Sequence, residues 1–186
     1  MSLHCVCEKP RVLQSLLECS GRASQVCFSS PCSMNTSEQS GKPLKRPESV
    51  LVVVFTLEQE ILLLQRADDE TFWQSVTGSL EVAEEPADAA LRELVEETGI
   101  SNVTLIDCNY SDSFSIRPQW RHRYPVGTTR NLEHVFLAQL PTRCDVTIEA
   151  REHLDFRWVS IAQAIDELWS ATNQRALEKF VVPLFE

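Results

Sequence analysis

The segment Gly78–Ile100 constrains this chain more tightly than any other. Gly78 allows the backbone to turn tightly where a strand gives way to a loop. Glu84-Glu85-Pro86 then make an acidic first turn, with proline near the first helical position, where its missing N–H costs nothing. Ala87, Leu91 and Leu94, with Ala90 beside them, form an apolar stripe at helical spacing, and Gly99 supplies a stop. On the predicted helix Glu93, Glu96 and Glu97 stand at i, i+3 and i+4, so their carboxylates project from one face. Without a metal this costs about 0.2–0.5 kcal/mol per like-charge pair, little enough for an ordinary solvated acidic face. Three hard oxygen ligands on adjacent turns are also what Mg²⁺ takes when it binds through carboxylates and substrate phosphates. The helix alone leaves both readings open.

Around this segment the patterning is mixed. Ser49–Phe55, rich in β-branched residues, reads as a buried strand, and Ile61–Gln65 as its partner across a turn at Gln59. Phe72–Val76, Val103–Cys108, Asp112–Ile116, His134–Leu140 and Phe156–Val159 read as further strands. Ser160 is expected to cap a helix carrying Ile161, Ile165 and Leu168, and Thr172 one carrying Ala176, Leu177 and Phe180. Strands with one early helix and others at the end imply an α+β or α/β layered fold.

Charge is unevenly spread. The chain of 186 residues carries a formal −10. Residues 1–49 hold six basic and four acidic side chains, a net +2, so the remainder carries −12. Such acidity disfavours binding to a nucleic-acid backbone, and a phosphorylated substrate would need something other than bulk charge to neutralise it. The longest apolar run, Val50–Phe55, is far short of the roughly 20 residues that span a bilayer, so no membrane partner is expected. Five of seven cysteines lie in the first 32 residues, with no CxxC pair and no zinc-like Cys/His spacing. Reduced thiols and a cytoplasmic location are the expectation. Residues 1–44, rich in Ser, Gly and Pro toward their end, read as a disordered extension before a domain at 45–186. Met34 opens a polar segment resembling an ordinary protein start, and we expect the biological start there; the alternative is a genuine tail. No feature specifies an oligomer.

The arrangement Gly78, Glu84, then Arg92-Glu93-Leu94-Val95-Glu96-Glu97-Thr98-Gly99-Ile100 fills every defined position of the Nudix box, G-x5-E-x7-R-E-U-x-E-E-x-G-U with U aliphatic. The chain thus resembles the Nudix hydrolases. The resemblance implies an α/β/α-layered α+β fold with a mixed sheet between helices, and a Mg²⁺-dependent pyrophosphohydrolase, with Mn²⁺ as an alternative ion. It implies that Glu93 and Glu97 bind the metal with Glu96 helping, while Arg92, a planar fork, holds a motif carboxylate in place. Ala83 stands where many members have glycine, so a slightly stiffer loop is expected.

Further segments, including Lys45-Arg46-Pro47, Leu64-Gln65-Arg66, Phe72–Ser79, Arg121-His122-Arg123-Tyr124, Thr129-Arg130-Asn131 and Glu152-His153-Leu154, resemble the dihydroneopterin triphosphate diphosphatases, also described as dATP pyrophosphohydrolases. That resemblance implies release of pyrophosphate from dihydroneopterin triphosphate, a small-molecule substrate of folate synthesis; dATP or a related nucleoside triphosphate is the alternative. Glu152 matches an additional metal-binding glutamate and is the first choice for general base, or for a ligand to a further Mg²⁺. Lys45, Arg66 and Thr77 match substrate-contacting positions, and the Arg121–Arg130 segment, with Arg121 and Arg130 at its ends, is read as a phosphate clamp. Phe72 and Trp73 are read as core before ring-stacking, and His153 as making a structural hydrogen bond.

Overall fold

The computed structural model describes residues 44–186, so the expectations about the preceding extension and its start lie outside the described residues. Strand β1 (Glu48–Thr56) is the axis of the fold, buried at every position after Glu48. A strand covered on both faces has no use for polar alternation, which is why it reads as a continuous β-branched run. It pairs in parallel with β6 (Arg130–Leu140) along its whole length. On its other side β1 meets β4 (Val76–Ser79) over its first half, and β2 (Glu60–Arg66) only at Phe55–Ile61. The tight turn between β1 and β2 has Gln59 at φ 65°, as the turn expected there requires. Beyond that turn β2 swings away to pair with β3 (Trp73–Gln74) and β7 (His153–Ser160), while β5 (Leu105–Ser115) closes the far edge on β6.

Alternation along β1 divides the core in two. Val50, Val52 and Val54, with Leu62 and Leu64, pack under Ala89, Ala90 and Leu94 of α1 (Pro86–Thr98). Leu51, Val53 and Phe55, with Ile61 and Leu63, pack against Ala164 and Leu168 at α2 (Ile161–Glu167) and Ala176, Leu177 and Val181 at α3 (Ala171–Ala176) and the wider turn that continues it. A mixed sheet between helical layers is the α/β/α-layered α+β architecture expected.

Local differences from the expectations have identifiable causes. Phe72–Val76 is not one strand: the ladder breaks at Ser75, whose N–H donates instead to Asn173 Oδ1 at 2.8 Å. The strands expected at 103–108 and 112–116 are one, β5, with a shift in register between Asp107 and Ser111 where Asn109 takes φ 47°. Ser160 caps α2 in a full capping box with Gln163, as expected, whereas α3 starts from Ser170 and Thr172 is buried in its first turn. Helix α1 runs between Pro86 and a left-handed Gly99, but its apolar stripe is rotated from the one expected. Ala87 and Leu91 face solvent, and the buried side is Ala89, Ala90, Glu93, Leu94, Glu97 and Thr98. A leucine has ceded burial to two glutamates, a choice that a helix selected for stability alone would not make.

Candidate active site

The site is built where the buried side of α1 meets β4. Glu93 lies flat on Gly78: a Cβ at that glycine would fall 1.7 Å from the Glu93 Cδ. Gly78 is paired in register with Val50, and its φ is not in the left-handed region, so it serves by absence of a side chain, not by the turn expected from sequence. One helical turn on, Glu97 is 2% exposed and accepts from the Thr77 N–H at 3.2 Å. Glu96 projects outward, 58% exposed, at 3.2 Å from Arg92 Nη1. Of the three motif glutamates on the helix, two are therefore enclosed and one is peripheral.

Arg92 fixes this arrangement. Its Nε and Nη2 donate to both oxygens of Glu84, at 2.8 and 2.9 Å, and its Nη1 donates to Glu93 at 2.8 Å. Nη2 also reaches the Ser79 carbonyl at 3.2 Å, tying helix to strand. Glu84 also accepts from the Glu81 N–H at 2.7 Å; its partner is the guanidinium and the loop, not the end of α1. The Arg92 fork holds the Glu84 carboxyl down at about 2. Burial pushes the Glu93 carboxyl up to about 7 against the pull of Arg92, and burial likewise raises Glu97. In the loop between β4 and α1, Ala83 holds φ 61°, a conformation natural to glycine, so the stiffer loop is a strained one.

Strand β7 supplies the other wall. Glu97, exposed Glu152 and buried His153 each offer a donor atom within 4.8 Å of the others. His153 Nε2 stands 3.3 Å from Glu97 Oε2, but out of line for a hydrogen bond, so both ring nitrogens of this 2%-exposed residue are without a partner. The structural hydrogen bond expected for His153 is absent. Its adjacency to Glu152 in the sequence was the only signal for its place here. Two buried carboxylates, an open one and an orphaned imidazole suit a divalent cation, and the glycine cradle leaves room for the carboxylate that would grip it.

The cationic residues divide. Lys45 is lowered by burial and by Arg123, while Glu152 and Glu93 pull the other way, which places its ammonium among the site carboxylates. Arg66 grips Asp68 through Nε and Nη2 at 2.7 and 2.6 Å, and its Nη1 reaches Gln74 at 3.4 Å. Gln74 in turn donates to the Thr77 hydroxyl at 3.1 Å. Arg121 and Arg130 are exposed; Arg121 Nε donates to the Ile116 carbonyl and Arg130 Nη2 to Ser113. From that segment it is Arg123, which sequence reading did not single out, whose charge bears on Lys45, Asp68 and Tyr124.

This fold and constellation define a Nudix pyrophosphohydrolase, a class that works with divalent cations. The sequence model of the NUDIX domain matches residues 45–180, and the chain belongs to that family. It is 43% identical over 148 residues to dihydroneopterin triphosphate diphosphatase of Escherichia coli, a match covering 76% of this chain and 96% of that protein. The Haemophilus influenzae protein of the same name is 40% identical, over 75% of this chain and 90% of its own. The solved structure of the E. coli dihydroneopterin triphosphate pyrophosphohydrolase superposes with a TM-score of 0.72, at 41% identity, covering 76% of this chain and 99% of the other. No helix among the described residues is long and apolar enough to cross a membrane.

Proposed function

We propose that this enzyme hydrolyses dihydroneopterin triphosphate to the monophosphate and pyrophosphate, with Mg²⁺ as the working ion and Mn²⁺ as a substitute. The observation that carries the reading is the 43% identity to the E. coli diphosphatase across 96% of that protein's length. The site supports it: Glu93 and Glu97 would hold the cation, with Glu152 and the His153 imidazole at its open side and Glu96 at the rim. A bound cation would neutralise charge on the polyphosphate and polarise the attacking water. Arg92 spends its donors on Glu84, Glu93, Glu96 and the Ser79 carbonyl, so its role is to position Glu93 and Glu84. Lys45 faces the same carboxylates and is the ammonium suited to a phosphate oxygen; Arg66 would reach phosphate by exchanging Asp68 for it. Thr77 contributes its N–H to orient Glu97. Glu152, exposed at the mouth, is the carboxylate free to take the proton of the water. Arg121 and Arg130, exposed and with guanidinium N–H donors to spare, would join a phosphate clamp through those donors. The two cysteines among the described residues, Cys108 and Cys144, are free, in keeping with a cytoplasmic location.

Pyrophosphate release from dihydroneopterin triphosphate and from dATP, with Mg²⁺ and with EDTA, tests the reading. We expect Mg²⁺-dependent turnover with the higher kcat/KM on the pterin; a clear preference for dATP overturns the substrate. Glu97→Gln keeps the shape and the acceptor for Thr77 but removes the charge, and should cut kcat by about 100-fold or more with circular dichroism unchanged. Near-normal turnover would remove Glu97 from the metal site.

A further inference from the structure

At the β3 edge of the sheet, tryptophan and guanidinium groups gather in a patch that the metal chemistry does not use. Phe72, just before β3, stacks on Trp169, between α2 and α3, with ring centres 4.4 Å apart. The Arg117 guanidinium lies 3.7 Å from the Trp169 ring centre and reaches Asp69 at 4.0 Å. Trp120 completes the patch, with Arg66 and Arg117 each 5.3 Å from its ring centre. Both tryptophans stand outside the two halves of the core, Trp169 48% exposed and Trp120 half-buried. They are not equivalent. The Trp169 ring is engaged closely by Phe72 and Arg117, whereas Trp120 has no stacked aromatic partner among the described residues and holds its cations further off. Its face is the less occupied of the two, and a planar heterocycle stacks on such a ring beside a guanidinium.

Two connections place this patch beside the metal site. Trp120 belongs to the 3₁₀ helix Pro118–Arg123, and the Lys45 N–H donates to the carbonyl of its last residue, Arg123, at 2.7 Å. The Lys45 ammonium in turn lies among the charges of Glu152, Glu93 and Arg66. Arg66 makes the second connection. Its backbone pairs in register with His153, whose ring stands beside Glu97, and the Ala67 N–H donates to the Glu152 carbonyl at 2.8 Å. Its guanidinium reaches Gln74, which donates to Thr77, and the same guanidinium faces the Trp120 ring. A triphosphate gripped by Lys45, Arg66 and a metal on the helix carboxylates therefore carries the group at its other end to the open side of Trp120.

We propose that the Trp120 indole is the platform on which the heterocycle of the triphosphate substrate stacks, with the Arg117 guanidinium beside it. This rests on the reading above only in that the triphosphate carries a flat ring. Stacking reads a π-face and not a hydrogen-bonding edge, so Trp120 supplies affinity for a pterin and a purine alike. The choice between the two falls to other groups.

The test compares the full-length wild type with Trp120→Leu and Trp120→Phe. With dihydroneopterin triphosphate and Mg²⁺, Trp120→Leu should lower kcat/KM about 5- to 100-fold, mainly through KM, as for loss of one ring stack. Trp120→Phe keeps an aromatic face and should recover most of that loss. Equilibrium binding of the two products separates a platform from a structural prop. Dihydroneopterin monophosphate, which carries the ring, should bind the leucine variant more weakly by a similar factor. Pyrophosphate with Mg²⁺ carries no ring and should bind as it does to wild type, which also shows that the variant is folded. Equal weakening of both products, or unchanged binding of the monophosphate, overturns the proposal, as does a phenylalanine variant no better than the leucine one. If the wild type turns over dATP and not the pterin triphosphate, the substrate reading falls and the comparison is made with dAMP. Loss of dAMP binding with pyrophosphate binding intact then supports the platform; unchanged dAMP binding overturns it.

Discussion

At the scale of single residues, the glycine that opens the motif has a sharper job than a turn. Because Glu93 occupies the volume a side chain at residue 78 would need, Gly78→Ala must displace the carboxylate. A shift on the order of 1 Å in a reacting group costs about 100-fold in rate, so we expect at least that loss in kcat, with weaker Mn²⁺ binding by titration. Wild-type metal affinity in this variant would show that Glu93 is not a ligand. Ala83 makes the opposite case. Its φ of 61° is one that glycine adopts without penalty, so Ala83→Gly should add roughly 0.5–1 kcal/mol after the entropy cost of glycine, read as a higher urea midpoint. Spacing made the positions of Glu93, Glu97 and Arg92 legible. Which of the glutamates would be enclosed was not, because burial depends on how the helix is rotated against a sheet assembled from distant segments. Arg123 and His153 escaped for the same reason: their neighbours, Lys45 and Glu97, are remote in the sequence.

Among the secondary-structure elements, α3 does more than cover the core. Asn173 in its first turn accepts the buried Ser75 N–H at the point where β3 gives way to β4, the strand that presents Thr77 and Gly78. Asn173→Ala leaves that N–H unpartnered, which should cost about 1–3 kcal/mol in chemical denaturation. Catalysis should suffer as well, since β4 would lose the anchor that sets its position. A fall in stability below about 0.5 kcal/mol would mean that water replaces the amide. The ends of α1 and α2 were legible because Pro86, Gly99 and Ser160 act through their own backbone neighbourhood. The break at Ser75 was not, because a residue 98 positions away supplies its partner.

For the whole molecule, the enclosed carboxylates couple stability to pH and to metal. The Glu93 carboxyl stands at about 7 against an ordinary 4.5, so the folded chain holds this proton more tightly than the unfolded chain. The folded state therefore loses stability as pH climbs from the ordinary value through about 7, and the full cost is present above it. If Glu93 and Glu97 hold a divalent cation as proposed, its charge would offset that cost. The rise in melting temperature on adding Mg²⁺ should consequently be larger above about 7 than below it. An increment independent of pH would separate the cation from these groups. Overall acidity, which first argued against anionic ligands, is thus partly concentrated where a cation can use it.

The fork in the sheet also sets the order of assembly. Strand β1 waits for β6 as its parallel neighbour, and Glu97 meets His153 only when β7 has arrived. During synthesis, the helix bearing the glutamates leaves the ribosome well before the strand that completes their enclosure. Long-range parallel pairing is slow to form, and a half-made chain offers the cation only loose surface carboxylates. Metal affinity would therefore belong to the finished fold, and a bound ion would act as a late latch that slows unfolding without guiding the early steps.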